Sequence, residues 1–223
     1  MNRRRIRTLI LCGLMVLPAA AQDDSWKTEI DNSLVRASRR LVAPREAVSA
    51  SEVPPALLVF LTDCSVRLTT AGRREELRGK RGQSLWHSGG RVGLENLGDQ
   101  RMEIAQVVPK FKPDSSYQLP PANPRNVQFE NDLIRMRRIG PLSATGLNLA
   151  AGKLQHPAPS VLIELSSAVH LRLKHTSGRV EEIQRKAGDI WFQPEDPFYP
   201  ESIGDWPDHE ALRIELKTRE AKP

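Results

Sequence analysis

Five histidines, a lone internal cysteine and a small set of aromatics are the side chains of this 223-residue chain best suited to chemistry. Imidazole titrates near neutral pH, so it can act as acid, base or metal ligand. His87 follows Trp86 at the end of an apolar run, where it could point into a cavity. His170 alternates with Val169 and Leu171, which puts it on the polar face with Arg172 and Lys174. His175 falls at a turn and reads as exposed, as does His209 after Trp206-Pro207-Asp208. Cys64 reads as a small side chain at a strand end, not as a nucleophile. Trp86, Trp191, Phe192, Phe198 and Tyr199 would line a mostly apolar cavity with a few polar tips, or pack as plain core. No Gly-x-Ser-x-Gly, phosphate-binding Gly loop, His-Glu-x-x-His or Cys-x-x-Cys occurs.

The elements that must position these groups occur twice. Ile30-Asp31-Asn32-Ser33-Leu34-Val35-Arg36 parallels Phe129-Glu130-Asn131-Asp132-Leu133-Ile134-Arg135. Leu57 to Leu61 parallels Val161 to Leu165, Arg81 to Trp86 parallels Ala187 to Phe192, and Glu95 to Asp99 parallels Glu201 to Asp205. Four matched blocks in one order mark a duplication. Within each half, alternating runs such as Val66, Leu68 and Leu171, Leu173 read as strands. Ala71-Gly72, Ser177-Gly178, Gly98-Asp99 and Gly204-Asp205 read as turns. Short strands at this spacing argue a sandwich or barrel.

The proline-rich stretch from Pro109 to Pro124 cannot enter a sheet interior, because proline removes backbone donors. The expected organisation is a first domain at 24–110, a linker at 111–124 and a second domain at 125–219. Residues 1–21 read as a signal peptide: Arg3, Arg4, Arg5 and Arg7 precede the apolar Leu9 to Leu17, then Ala19-Ala20-Ala21. The expected location is therefore periplasmic or extracellular, with no membrane span in the mature chain. That segment holds four of the 33 Lys and Arg and none of the 27 Asp and Glu, leaving 29 against 27. So small a net charge, without a basic stripe, argues against a nucleic-acid partner. With Cys12 gone, Cys64 has no intramolecular disulfide partner.

The repeated turn-strand-turn order resembles the cupin superfamily. Its clearest match is Lys186 to Pro194 closing with Glu201 to Asp205, echoed by Gly82, Trp86, Gly89, Gly90 and Glu95 to Asp99. The resemblance implies an all-β chain: two tandem cupin-like double-stranded β-helix (jelly-roll) barrels, a bicupin. It also implies a metal held by His-x-His, a Glu and a later His. Here those positions carry Leu154 and His156, Ser160 or Val161, and Tyr199 or Phe198 in the second half. In the first half they carry Ala50 and Glu52, Ala56 or Leu57, and Gly93 or Val92. At most one ligand survives per half, and three are the usual minimum.

No metal site and no cofactor are therefore expected. The expectation is a non-catalytic binding or structural protein, with candidate pocket residues His156, Trp191, Gln193, Tyr199, Glu52, Trp86 and His87. The alternative is a cupin enzyme of isomerase, lyase or dioxygenase type, metal-dependent or using His156 or Tyr199 as acid or base. A third reading is an oligomeric scaffold paired through sheet edges.

Overall fold

The computed structural model describes residues 26–114, 116–119, 121–139, 158–166, 169–202 and 210–218. The segment expected to be a signal peptide, His156, His209 and Gly204-Asp205 lie outside them. The described residues form strands plus one short 3-10 turn at Pro124–Asn126. Nine strands come from the first half: β1 (Lys27–Asp31), β2 (Val35–Val42), β3 (Ala47–Val53), β4 (Ala56–Phe60), β5 (Cys64–Thr70), β6 (Arg73–Gly79), β7 (Ser84–His87), β8 (Gly90–Asn96) and β9 (Met102–Pro109). Eight follow: β10 (Val127–Glu130), β11 (Ile134–Ile139), β12 (Ser160–Glu164), β13 (Val169–His175), β14 (Val180–Arg185), β15 (Ile190–Gln193), β16 (Phe198–Ser202) and β17 (Ala211–Leu216).

The two halves repeat one sheet order. The first gives β1-β2-β9-β4-β7 and the second β10-β11-β17-β12-β15, all antiparallel. A smaller sheet completes each half: β3-β8-β5-β6 and β14-β13-β16. The duplicated sequence is visible atom by atom. Asn32 Oδ1 accepts from the Leu34 and Val35 amides at 2.9 Å, and Asn131 Oδ1 accepts from Leu133 and Ile134 at 2.9 Å. These side chains bridge the bend between paired strands, a local use of Asn that the matched blocks require. The Gly82 amide donates to Phe60 O and the Gly188 amide to Glu164 O, both at 2.8 Å. Both glycines sit at positive φ, +76° and +86°, where a side chain would strain the turn.

Period-two alternation sorts side chains between two environments. One face of each five-stranded sheet packs on the other half. Leu57, Val59, Ala105 and Val107 meet Met136, Val161, Ile163, Leu212 and Ile214 in a single buried cluster. The opposite face of the first large sheet packs on its small sheet. There Val42, Leu58, Phe60, Met102 and Ile104 meet Val66, Leu68 and Leu94. Among the described residues, the corresponding interior of the second half buries Leu173 and Ile183, with Trp191 against them.

Candidate functional site

The register shows what else lines the second interior. Across β11, β17, β12 and β15 runs a row Arg135–Glu215–Ser160–Gln193, and beside it a row Arg137–Arg213–Leu162–Trp191. All eight lie on the face turned away from the inter-half cluster. The matching first-half row reads Ser38–Gln106–Leu58–Leu85. Phe60 in the first half corresponds to Glu164 in the second. Related backbones thus carry uncharged residues at these positions in one half and an arginine-rich lattice in the other.

The polar groups are tied together. Arg135 is 6% exposed, Arg213 7% and Glu215 3%. Arg135 Nε donates to Glu215 Oε2 at 2.6 Å, and Arg137 Nη2 to Glu215 Oε1 at 2.5 Å. Arg213 Nε donates to Ser160 Oγ at 3.2 Å and stands 3.8 Å from Glu215 Oε1. Ser160 Oγ donates in turn to Ala158 O at 2.6 Å. Burial, the largest influence, pulls the Arg213 guanidinium down to about 10. Glu215 opposes the shift; Arg137 and Arg135 add to it. Arg213 remains a cation at neutral pH. Trp191 Nε1 donates to Glu164 Oε1 at 3.0 Å, and the Arg185 guanidinium lies 5.6 Å over the Trp191 ring.

Next to this lattice is a cavity of about 20 Å³ lined by Leu173, His175, Glu181, Ile183, Trp191, Phe192, Gln193, Pro194 and Asp196. It would hold roughly one water. His175 Nδ1 lies 2.6 Å from Asp196 Oδ2, and Nε2 lies 3.4 Å from Glu181 Oε2. His175 is only 6% exposed, which corrects the expectation of an exposed turn residue. The reason is parity: β13 extends to His175, which shares a face with Leu173, and two carboxylates satisfy it there. His170 behaves as expected, half-exposed and 3.7 Å from Glu182.

The other expected pocket residues divide. Trp191 and Gln193 line the cavity. The side chain of Tyr199, on β16, and all of His156 lie outside the described residues. Trp86 does not line an interior. It sits opposite Leu57, packs on the inter-half cluster and stacks on Phe129 with centroids 5.8 Å apart. Its neighbour His87 takes the interior instead, because successive strand residues point oppositely. His87 is 8% exposed, its Nδ1 accepts from the Gly89 amide at 3.3 Å, and its Nε2 has no partner. Burial lowers its pKa from the ordinary 6.5. Glu52 is exposed on β3 opposite Arg91.

Cys64 begins β5 beside a broad surface depression of about 410 Å³ that also includes Arg78, Lys80 and Asp99. Burial pushes its thiol up to about 11, so it is not a thiolate at neutral pH. Among the described residues no three His, Cys, Asp or Glu side chains converge at metal-ligand reach. The charged lattice is dominated by guanidiniums, which do not give up their protons and repel a cation. The described residues therefore do not fit a resident divalent ion.

The architecture is that of cupin-domain structures. AerE from Microcystis aeruginosa superposes with a TM-score of 0.57 at 10% identity, over 86% of this chain and 96% of that one. Salicylate 1,2-dioxygenase from Pseudaminobacter salicylatoxidans gives 0.55 at 12%, over 88% and 77%. A cupin 2 conserved barrel domain protein from Leptotrichia buccalis gives 0.51 at 10%, over 86% and 88%. At such identities the likeness establishes the fold alone. No protein-family model matches the sequence, and no curated protein does.

Proposed function

We propose that this chain is an exported bicupin whose metal-ligand motifs have decayed, and that it binds a small molecule in its second half without catalysing a reaction. One observation carries the reading. Among the described residues, the second interior holds a buried, hydrogen-bonded lattice of arginines and a glutamate where the matched positions of the first hold uncharged residues beside an apolar cluster. Such a lattice contributes less to stability than well-packed apolar groups of similar volume would. A half whose only task was to fold would do better with the first half's residues. In the first half, the family's ligand positions include an exposed Glu52 and a buried Val92, which is consistent with decayed motifs.

The test is thermal denaturation of wild type and Trp191→Ala with sugars, aromatic acids and their amides. A ligand at about one hundred times its Kd should add about 2.7 kcal/mol of stability to wild type. That gain should shrink sharply in Trp191→Ala. An equal gain in both proteins would move the site out of the second half. A second reading, a metal-independent isomerase or lyase, is favoured by the 2.6 Å His175–Asp196 pair at the cavity. The enzyme readings divide on elemental analysis of protein purified without chelators: stoichiometric metal would favour a metal-dependent enzyme and sink the decayed-motif reading.

A further inference from the structure

Among the described residues, guanidiniums outnumber carboxylates on the inner face of the second large sheet. Among the described residues, Arg135, Arg137 and Arg213 surround the single carboxylate of Glu215. Arg137 and Arg213 stand directly opposite each other on neighbouring strands, a placement that is unfavourable for like charges. Glu215 answers Arg135 and Arg137 with its two oxygens at 2.5–2.6 Å and keeps Arg213 at 3.8 Å. Ser160 engages only Nε of Arg213; its Nη2, buried from solvent, has no hydrogen-bond partner. Arg137 Nε is in the same condition. A buried donor on a cation without an acceptor is costly, and burying it is repaid when an anion supplies that acceptor. Glu164, the other carboxylate of this face, is engaged by Trp191 Nε1.

We infer that the second half binds a small oxyanion, a carboxylate or phosphate group, through Arg213, with Arg137 beside it and Ser160 fixing the guanidinium plane. This rests on the small-molecule reading above and names the ligand's chemistry. The planar guanidinium fork matches two coplanar oxygens, so a carboxylate or phosphate suits it better than a hydroxyl or amide. At the matched positions the first half carries no guanidinium: Gln106 replaces Arg213 and Ser38 replaces Arg137, and its own unpartnered Arg40 Nε lies one same-face residue pair further along.

The experiment uses the whole chain and variants that import the first half's residues, Arg213→Gln and Arg137→Ser. Oxalate, benzoate and inorganic phosphate are titrated at constant ionic strength against the neutral oxamide and benzamide, with thermal shift and calorimetry as readouts. Wild type should bind at least one anion saturably and its neutral amide at least tenfold more weakly. Arg213→Gln should weaken the anion about tenfold or more, with circular dichroism showing an intact fold; if it fails to fold, Arg137→Ser carries the same expectation. Benzoate against phosphate tells which oxyanion is preferred. Equal binding of anion and amide, or an unchanged anion Kd in both variants, overturns the inference. In the first of these cases small-molecule binding still stands, provided the gain is lost in Trp191→Ala. If nothing in either panel binds, both readings fall.

Discussion

His87 and Gln193 occupy matched strand ends, and only the imidazole of the pair can titrate there. His87 is buried, and burial disfavours its charged form. The unfolded chain therefore binds a proton that the folded chain resists. Stability should fall as pH drops through 6.5 and level off once His87 itself protonates. His87→Gln, which borrows the second half's residue, should flatten that fall, read as Tm against pH for the two proteins. A slope identical in wild type and variant would show that His87 does not carry it. Glu215 offers a second test. Removing its charge takes the carboxylate from a buried Arg135 and a half-buried Arg137, so Glu215→Ala should cost about 3–5 kcal/mol in urea unfolding. A cost under about 1 kcal/mol would show that the guanidiniums find water.

At the scale of elements, backbone approach decides more than side-chain identity. Gly79 closes β6 against the Phe60 ring on β4; a Cβ there would come within 2.7 Å of the ring. Phe60 is 2% exposed and surrounded, so the ring has little room to retreat. Gly79→Ala should destabilise by about 1–3 kcal/mol, measured by the urea midpoint, the range expected of overpacking. The hairpin between β5 and β6 shows the opposite case. Ala71 and Gly72 both take positive φ, +46° and +79°, the two-residue turn that suits the twist of paired strands. Nothing lies within 4 Å of a Cβ at Gly72, so its requirement is conformational, not steric.

For the whole molecule, the largest core belongs to neither half alone. Residues of both five-stranded sheets share one buried cluster, and Arg39 donates both to Glu103 in its own half and to the Gly188 carbonyl in the other. Trp86 on Phe129 closes the edge of that contact. Unfolding should therefore be a single transition by fluorescence and circular dichroism. Trp86→Ala should lower stability by about 3 kcal/mol, as deleting a packed aromatic does. Two separated transitions in wild type would show that the halves fold independently despite the shared cluster.

Repeated strands, and the turns that fall among the described residues, were legible in the order of residues. Asn32 and Asn131, Gly82 and Gly188, and the apolar runs at Leu57 and Val161 act through local backbone chemistry and period-two alternation, which need no knowledge of distant partners. That order also pointed to Trp191 and Gln193 as neighbours of a cavity. Which face of each strand meets which environment was settled by long-range packing. Trp86 and His87 are adjacent, yet one packs between halves and the other inside one; sequence alternation separates the faces without saying what covers them. Arg135, Arg137, Arg213 and Glu215 escaped notice because charged residues in alternating strands read as solvated. Their burial follows from sheet pairing between segments some 80 residues apart, and that long-range register brings the four together.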